Sequence, residues 1–140
     1  MSSPLDQAVG HLRLHHIGIV VDDLDEAAGN YERVGFGEGD RFSVPEQGIE
    51  AIVYRAGPGY MELIRPTDPE GAIGRYLAKR GPGTHHVAYA VDDIAGTLDR
   101  LRAAGVRLID DTPREGTHGW QIAFIHPESC NGVLTELVQE

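Results

Sequence analysis

The sequence is poor in cysteine, in positive charge and in long apolar segments. Its 140 residues include one cysteine, Cys130, which cannot form an internal disulfide, so a reducing compartment, the cytoplasm, is expected. The opening residues MSSPLDQAVG contain neither a basic leader nor an apolar signal core. No segment approaches the ~18 uninterrupted apolar residues of a membrane span, so no membrane contact is expected.

Positive charge is outweighed by negative charge. Twelve Lys and Arg stand against 22 Asp and Glu, giving a formal net charge of −10. This charge would repel a phosphate backbone, so nucleic acid is not expected as a partner. An anionic ligand would have to be held by a local basic patch or by a metal ion.

Length and hydrophobic content suit one domain. The chain is 41% hydrophobic, which is enough for a single core at this length. We expect a flexible N-terminal tail at residues 1–10 and one domain over residues 11–140.

What the sequence does contain is an internal repeat. The stretch LHHIGIVVDD, residues 14–23, returns 70 residues later as THHVAYAVDD, residues 84–93. A second pair, GYMELI at 59–64 and VLTELV at 133–138, has an offset of 74 residues. The repeat predicts two copies of one structural unit.

Each copy predicts the same order of elements. The apolar runs after the paired histidines are typical of strands, and the Asp-Asp pairs that end them occupy helix N-cap positions. The next segments have helical spacing and a glycine near the end. Three more strands are predicted in each copy, near 38–43, 49–55 and 59–65 in the first and near 106–110, 120–126 and 132–138 in the second.

The predicted fold class is α+β. The two βαβββ modules span about 14–66 and 84–138, and a linker helix at about 69–80 joins them, ending before Gly81 and Pro82. One four-stranded module could not easily cover both faces of its sheet. Two modules are therefore expected to form an eight-stranded curved sheet around a cavity, with the cleft between the copies.

Strand alternation places four polar side chains of the repeat on matching faces. His16 and His86 lie in equivalent first strands, and Glu62 and Glu136 lie in equivalent last strands, each between neighbours that point the other way. If these faces turn inward, two imidazoles and two carboxylates converge. This donor set suits a divalent transition metal in the cavity.

Taken singly, each of these residues has a simpler explanation. A histidine at the start of a strand is usually a packing or surface residue, and a glutamate between apolar neighbours usually marks a solvent face. The doubled pattern favours the metal site, because duplication supplies one His and one Glu from each copy. By the same alternation, His15 and His85 are expected on the opposite face, as packing groups or as groups that support the ligands.

Several motifs resemble those of the vicinal oxygen chelate superfamily and, within it, the methylmalonyl-CoA epimerases. They are HHIGIVVDDLDEA at the start of the repeat, PEQG (45–48), MELIRP (61–66), LAKRGPGTHHVAYAVDDI (77–94), GTHG (116–119) and HPESCNGVLTELVQ (126–139). The resemblance implies metal ligands at His16, Glu62, His86 and Glu136. Some epimerases carry Gln at the position of Glu62.

The resemblance implies an isomerase that interconverts (R)- and (S)-methylmalonyl-CoA through a metal-stabilised enolate. It implies Glu136 as one catalytic base and Glu50 as a candidate for the other. Certain family members place a glutamate three residues after the glycine of PEQG, where this chain has Ala51. Because a one-residue shift reverses the face of a strand, Glu50 reaches the cavity only if a bulge intervenes.

The implied cofactor is a divalent metal ion, with Co expected and Mn, Ni or Zn as alternatives, and the implied assembly is a homodimer. Three other functions fit the same scaffold. A glyoxalase I-type lactoylglutathione lyase uses the same ligands, and a non-catalytic member would bind a small molecule in the cavity. An extradiol dioxygenase needs an open triad of two His and one carboxylate, and Glu62 as a fourth ligand argues against it.

Overall fold

The computed structural model describes residues 12–140, and the predicted tail at 1–10 lies outside the described residues. Within this range the elements follow in the order β1 Arg13–Val20, α1 Leu24–Val34, β2 Asp40–Val44, β3 Ile49–Ala56, β4 Gly59–Pro66, α2 Ala72–Arg80, β5 Gly83–Ala90, α3 Ile94–Ala103, β6 Arg114–Glu115, β7 Gln121–Ile125 and β8 Thr135–Gln139. Helix α2 lies where the linker helix was predicted. No helix of this described range is long and apolar enough to span a bilayer.

The strands form one eight-stranded sheet in the order β2-β3-β4-β1-β5-β8-β7-β6. Strands β1 and β5 pair antiparallel at the centre, while β4 runs parallel to β1 and β8 runs parallel to β5. The order is therefore symmetric about the central β1–β5 contact, with one module on each side. The predicted α+β fold with a continuous curved sheet is confirmed.

Each module covers the outer face of its half-sheet with one helix. The Asp23 carboxylate accepts a hydrogen bond from the Glu26 amide at 3.0 Å, and Asp93 accepts one from the Gly96 amide at 3.0 Å, so these residues cap α1 and α3 as predicted. Two equivalent apolar clusters hold the helices, one with Leu24, Ile52 and Leu63 and the other with Leu98, Ala123 and Leu137. The inner face of the sheet is left to form a cavity.

The strand predicted near 106–110 is wrong. Only Leu108 makes an isolated bridge there, to Ile125, and the edge strand is the two-residue β6. The reason is a contact with the neighbouring strand: the Asp110 carboxylate accepts a hydrogen bond from the Phe124 amide at 2.8 Å and takes the place of a ladder partner.

Two β-bulges interrupt the pairing of β1 with β5. The register shifts at His15 on β1 and again at His85 on β5, which leaves each of these residues as an extra one in its strand. As a result, His15 lies beside His16 with their Nδ1 atoms 2.7 Å apart, and the Nδ1 atoms of His85 and His86 are 2.9 Å apart. The prediction that His15 and His85 point to the opposite face is wrong, because it assumed unbroken alternation.

Gly18 leaves the space that the His86 ring fills. The two residues are paired across β1 and β5, and a Cβ on Gly18 would lie 2.1 Å from Cε1 and 2.5 Å from Nε2 of that ring. A Gly18→Ala change must displace a buried imidazole, so we expect it to lower the free energy of unfolding by about 1–3 kcal/mol. Denaturant unfolding of the purified protein measures this loss.

Gly37→Ala is the matched control, since a Cβ at Gly37 would meet no atom within 4 Å. Equal unfolding midpoints for both alanine variants would contradict the assigned packing role of Gly18.

Candidate metal centre and its cavity

Two imidazoles and one carboxylate converge on the inner face of the sheet. His16 from β1 and His86 from β5 bring their Nε2 atoms within 3.1 Å of each other. Glu136 from β8 places Oε1 at 2.9 Å from the His16 Nε2 and 3.6 Å from the His86 Nε2. All three side chains are buried, and they form the His-His-Glu group of the described chain whose ligand atoms are close enough to hold one ion.

Glu62 lies at the margin of this group. It comes from β4, is buried, and holds Oε1 at 3.9 Å from the His16 Nε2. Its other oxygen accepts a hydrogen bond from the Thr117 hydroxyl at 3.0 Å. The structure therefore brings all four predicted ligand residues to one place, with Glu62 farther out than the other three.

Burial favours the neutral form of the two imidazoles. Desolvation lowers the pKa of His16, against the opposing charge of Glu62. It lowers the pKa of His86 well below its ordinary value, with the nearby His16 and His85 adding to the effect. A neutral imidazole has a free lone pair on one ring nitrogen, which is the form that binds a metal.

Burial also makes the two carboxylates costly to ionise without a cation. Desolvation raises the pKa of Glu136 to about 8, although the charge of Arg114 opposes it. Desolvation raises the pKa of Glu62 to about 6, with His16 and the Thr117 hydrogen bond acting against it and Glu136 adding to it. Two neighbouring buried carboxylates are costly to ionise together, and a bound cation would lower this electrostatic cost.

The donor atoms fit a divalent ion. Within residues 12–140, Glu136 Oε1 is the buried side-chain oxygen without a hydrogen-bond partner, although the His16 Nε2 is close to it. Neighbouring ligands on a metal with bonds of about 2.0–2.2 Å lie roughly 3 Å apart, as the closest atoms do here. The group thus has the chemistry and spacing of a metal centre with nitrogen and oxygen ligands.

The centre lies in a cavity of about 390 Å³, a size suited to a small-molecule ligand. Apolar side chains form much of its wall, including Ile49, Ile64, Ile122 and Phe124. Arg114 also lines it, with the guanidinium 5.5 Å from the centre of the Phe124 ring and Nε 3.3 Å from the Asp110 carboxylate. Phe124 in turn stands edge-on to His86 at 5.5 Å, so a positive charge lies one ring away from the metal centre.

The two modules also contact each other beside the cavity. The PEQG turn follows β2, and the Gln47 side-chain amide donates to the Glu115 backbone carbonyl at 2.9 Å. The Phe42 ring packs on the His118 ring at 4.0 Å, and His118 stacks on Trp120 at 4.5 Å. Both motifs that had no assigned role, PEQG and GTHG, therefore lie at the cavity.

Glu50 is placed elsewhere. It is half-buried, pairs with Arg65 at 3.3 Å, and is not among the residues that line the cavity, whereas its strand neighbour Ile49 is. No bulge is recorded in the pairing of β3 with β4 that would turn Glu50 inward. Its placement gives no support to a role as the second base.

Three residues of the cavity were not identified from the sequence. Thr117, Trp120 and Arg114 all follow the irregular segment after α3, where hydrophobic periodicity gives no face assignment. The GTHG motif contains Thr117 and is the sequence feature that could have identified this residue. Nothing in the local pattern singled out Arg114, an exposed residue that also lines the cavity.

Comparisons with known proteins agree with this geometry. A family model described as the Glyoxalase/Bleomycin resistance protein/Dioxygenase superfamily matches residues 15–124. The mitochondrial methylmalonyl-CoA epimerase of Homo sapiens is 34% identical, with 99% of this chain and 82% of that protein covered. The ethylmalonyl-CoA/methylmalonyl-CoA epimerase of Cereibacter sphaeroides is 36% identical, with 91% of this chain and 97% of that protein covered.

A solved structure extends the likeness to three dimensions. A methylmalonyl-CoA epimerase in complex with methylmalonyl-CoA and NH4+ is 36% identical and superposes with a TM-score of 0.87, covering 94% of this chain and 96% of that one. The likeness runs over nearly the whole length of both chains. The chain belongs to the Glyoxalase/Bleomycin resistance protein/Dioxygenase superfamily and, within it, to the methylmalonyl-CoA epimerase family.

Proposed function

We propose that this protein interconverts (R)- and (S)-methylmalonyl-CoA by removing and returning the proton on the carbon between the thioester and the carboxylate. The observation that carries the proposal is the buried group of His16, His86 and Glu136 in the cavity, with Glu62 beside it. Relatives with the same fold and comparable length are named for this reaction.

His16, His86, Glu136 and Glu62 would hold a divalent ion, which supplies Lewis-acid stabilisation of the negative charge that develops on the thioester oxygen. We expect Co²⁺, with Mn²⁺, Ni²⁺ or Zn²⁺ as alternatives, because mixed imidazole and carboxylate donors accept each of these ions. The apolar wall of the cavity limits access of water to the reacting carbon.

Inversion needs two proton-transfer groups, one on each side of the reacting carbon. Glu136 is our candidate for one of them, as a buried carboxylate at the metal centre. Glu62 is the second buried carboxylate in the cavity, and the Thr117 hydroxyl fixes its orientation. Glu62 is therefore a stronger candidate for the second group than Glu50, which pairs with Arg65 outside the cavity.

Exchange of the α-proton in D₂O tests the reaction directly. With Co²⁺-loaded protein, we expect deuterium uptake into methylmalonyl-CoA accompanied by inversion, and we expect a chelator to abolish both. Mass spectrometry and chiral analysis measure them. An inert substrate with metal-loaded protein, or turnover of a glutathione hemithioacetal instead, would overturn the epimerase assignment.

Carboxamide variants separate the roles of the glutamates. Glu136→Gln removes a proton-transfer group, so we expect its exchange rate to fall by about 10²-fold or more. Glu50→Gln is the matched control and should stay within a few-fold of the wild type, since Glu50 contacts Arg65 rather than the cavity. The comparison is made at equal bound metal, measured for each variant. A large loss in the Glu50 variant alone would restore Glu50 as the base.

The substrate is strongly anionic, whereas the cavity is lined by several carboxylates, so a cationic side chain in addition to the metal ion would favour substrate binding. We assign this role to Arg114, held by Asp110 and Phe124, as the partner of the acyl carboxylate. Arg114→Gln should weaken methylmalonyl-CoA binding about tenfold or more, as loss of a charged hydrogen bond does. Calorimetric titration measures the change.

Propionyl-CoA, which lacks the acyl carboxylate, supplies the control ligand, and Arg100→Gln on the exposed face of α3 supplies the control variant. Propionyl-CoA should bind Arg114→Gln as tightly as it binds the wild type, and methylmalonyl-CoA should bind Arg100→Gln as tightly as it binds the wild type. An equal loss for propionyl-CoA and methylmalonyl-CoA would place Arg114 against the CoA portion and contradict the assignment.

We also propose a homodimer in the cytoplasm. The single cysteine favours a reducing compartment. The outer face of central strand β1 supports the dimer, because Leu14 is 61% exposed and Ile17 is 38% exposed there. Light scattering should give about twice the chain mass of 15.2 kDa, and Leu14→Glu should shift the mass toward the monomer. A dimer unaffected by this change would exclude the β1 face.

A further inference from the structure

We propose that His15 and Glu140 are positioning residues for the metal ligand His16. His16 Nδ1–H donates to His15 Nδ1, whose Nε2–H donates to the Glu140 carboxylate, so the His16 Nε2 lone pair is directed at the metal centre. The separations along this relay are 2.7 Å between the two Nδ1 atoms and 3.1 Å between His15 Nε2 and Glu140 Oε1. The proposal rests on the metal site of the proposed function.

The ligand role of His16 fixes every proton in the relay. A neutral imidazole has one N–H and one lone pair. The His16 Nε2 faces Glu136 and His86 and must offer its lone pair there, so the His16 Nδ1 carries the proton. His15 must then accept at Nδ1 and carry its own proton on Nε2, which is the atom that faces Glu140.

The fold holds the His15 ring in this orientation. The β-bulge turns the ring to the side of His16, and the side chain is buried. Trp120 packs edge-on at 4.6 Å and Tyr60 lies at 5.2 Å, so the ring is held on two sides. Glu140 directly follows β8, the strand that carries Glu136, so the relay connects two of the strands that bear metal ligands.

The second copy of the repeat lacks the end of the relay. His85 and His86 have the same Nδ1 contact, at 2.9 Å, but His85 stands against the Tyr76 ring at 4.7 Å. Among the described residues, a carboxylate lies within ion-pair distance of His15, whereas none lies that close to His85. A carboxylate at the end of a hydrogen-bond chain raises the basicity of the metal ligand at the other end. We therefore expect His16 to bind the metal more strongly than His86 does.

The dissociation constant for Co²⁺, measured by competition with a chromophoric chelator, tests the relay without any substrate. Glu140→Gln and His15→Phe should each weaken Co²⁺ binding by about 10–100-fold. Because Glu140 acts only through His15, adding Glu140→Gln to His15→Phe should cause no further loss. His15→Asn, which keeps an acceptor for the His16 proton, should recover part of the affinity.

Glu38→Gln, a change at an exposed glutamate before β2, is the control and should bind Co²⁺ as the wild type does. The visible spectrum of the Co²⁺ protein gives a second readout, which should shift in Glu140→Gln and stay unchanged in the control. If His15→Phe does not fold, the relay is tested by the Co²⁺ affinity of Glu140→Gln, made in the wild type and in the His15→Asn variant.

Three results would overturn the relay: unchanged affinity in Glu140→Gln, additive losses in the double variant, or a wild-type protein that binds no divalent ion. Co²⁺ binding with the expected losses, in a protein inert toward methylmalonyl-CoA, would leave the relay in place and remove only the proposed function.

Discussion

The structure depends on the placement of two buried carboxylates against two buried imidazoles at the junction of its modules. Ionised Glu62 and Glu136 cannot remain together in an apolar interior without positive charge nearby, and burial raises both pKa values for that reason. Neutral histidines do not supply the charge, whereas a doubly charged cation balances both carboxylates. Much of the architecture serves to bring these four side chains to one place from four separate strands.

The symmetry of the sheet explains how this is achieved. Ligands from equivalent positions meet because β1 and β5 are central neighbours and β4 and β8 flank them. The position of the His86 imidazole needs a residue without a side chain at Gly18, where the ring lies. Helices α1 and α3 occupy the outer face, so the inner face is free to carry polar residues and a cavity.

The sequence predicted the fold and the position of the candidate ligands because both depend on the repeat. Duplicated strands with ordinary alternation specify which side chains share a face. The orientation of His15 and His85 could not be predicted, because a bulge depends on how two distant strands pair. Asp110 replaced a strand by a side-chain hydrogen bond, and Arg114 reaches the cavity only through the fold of the irregular segment before β6. In both cases the deciding contact lies outside the local pattern.

The bridge between the modules beside the cavity has a consequence for movement around the site. It consists of the Gln47 hydrogen bond to Glu115 and ring contacts such as that of Phe42 with His118, rather than a ladder between strands. Separating these groups breaks few interactions, while the eight strands that carry the candidate ligands can stay paired. Thr117 belongs to the same loop as His118 and donates to Glu62, so displacement of this bridge would also reach a hydrogen-bond partner of the candidate metal site.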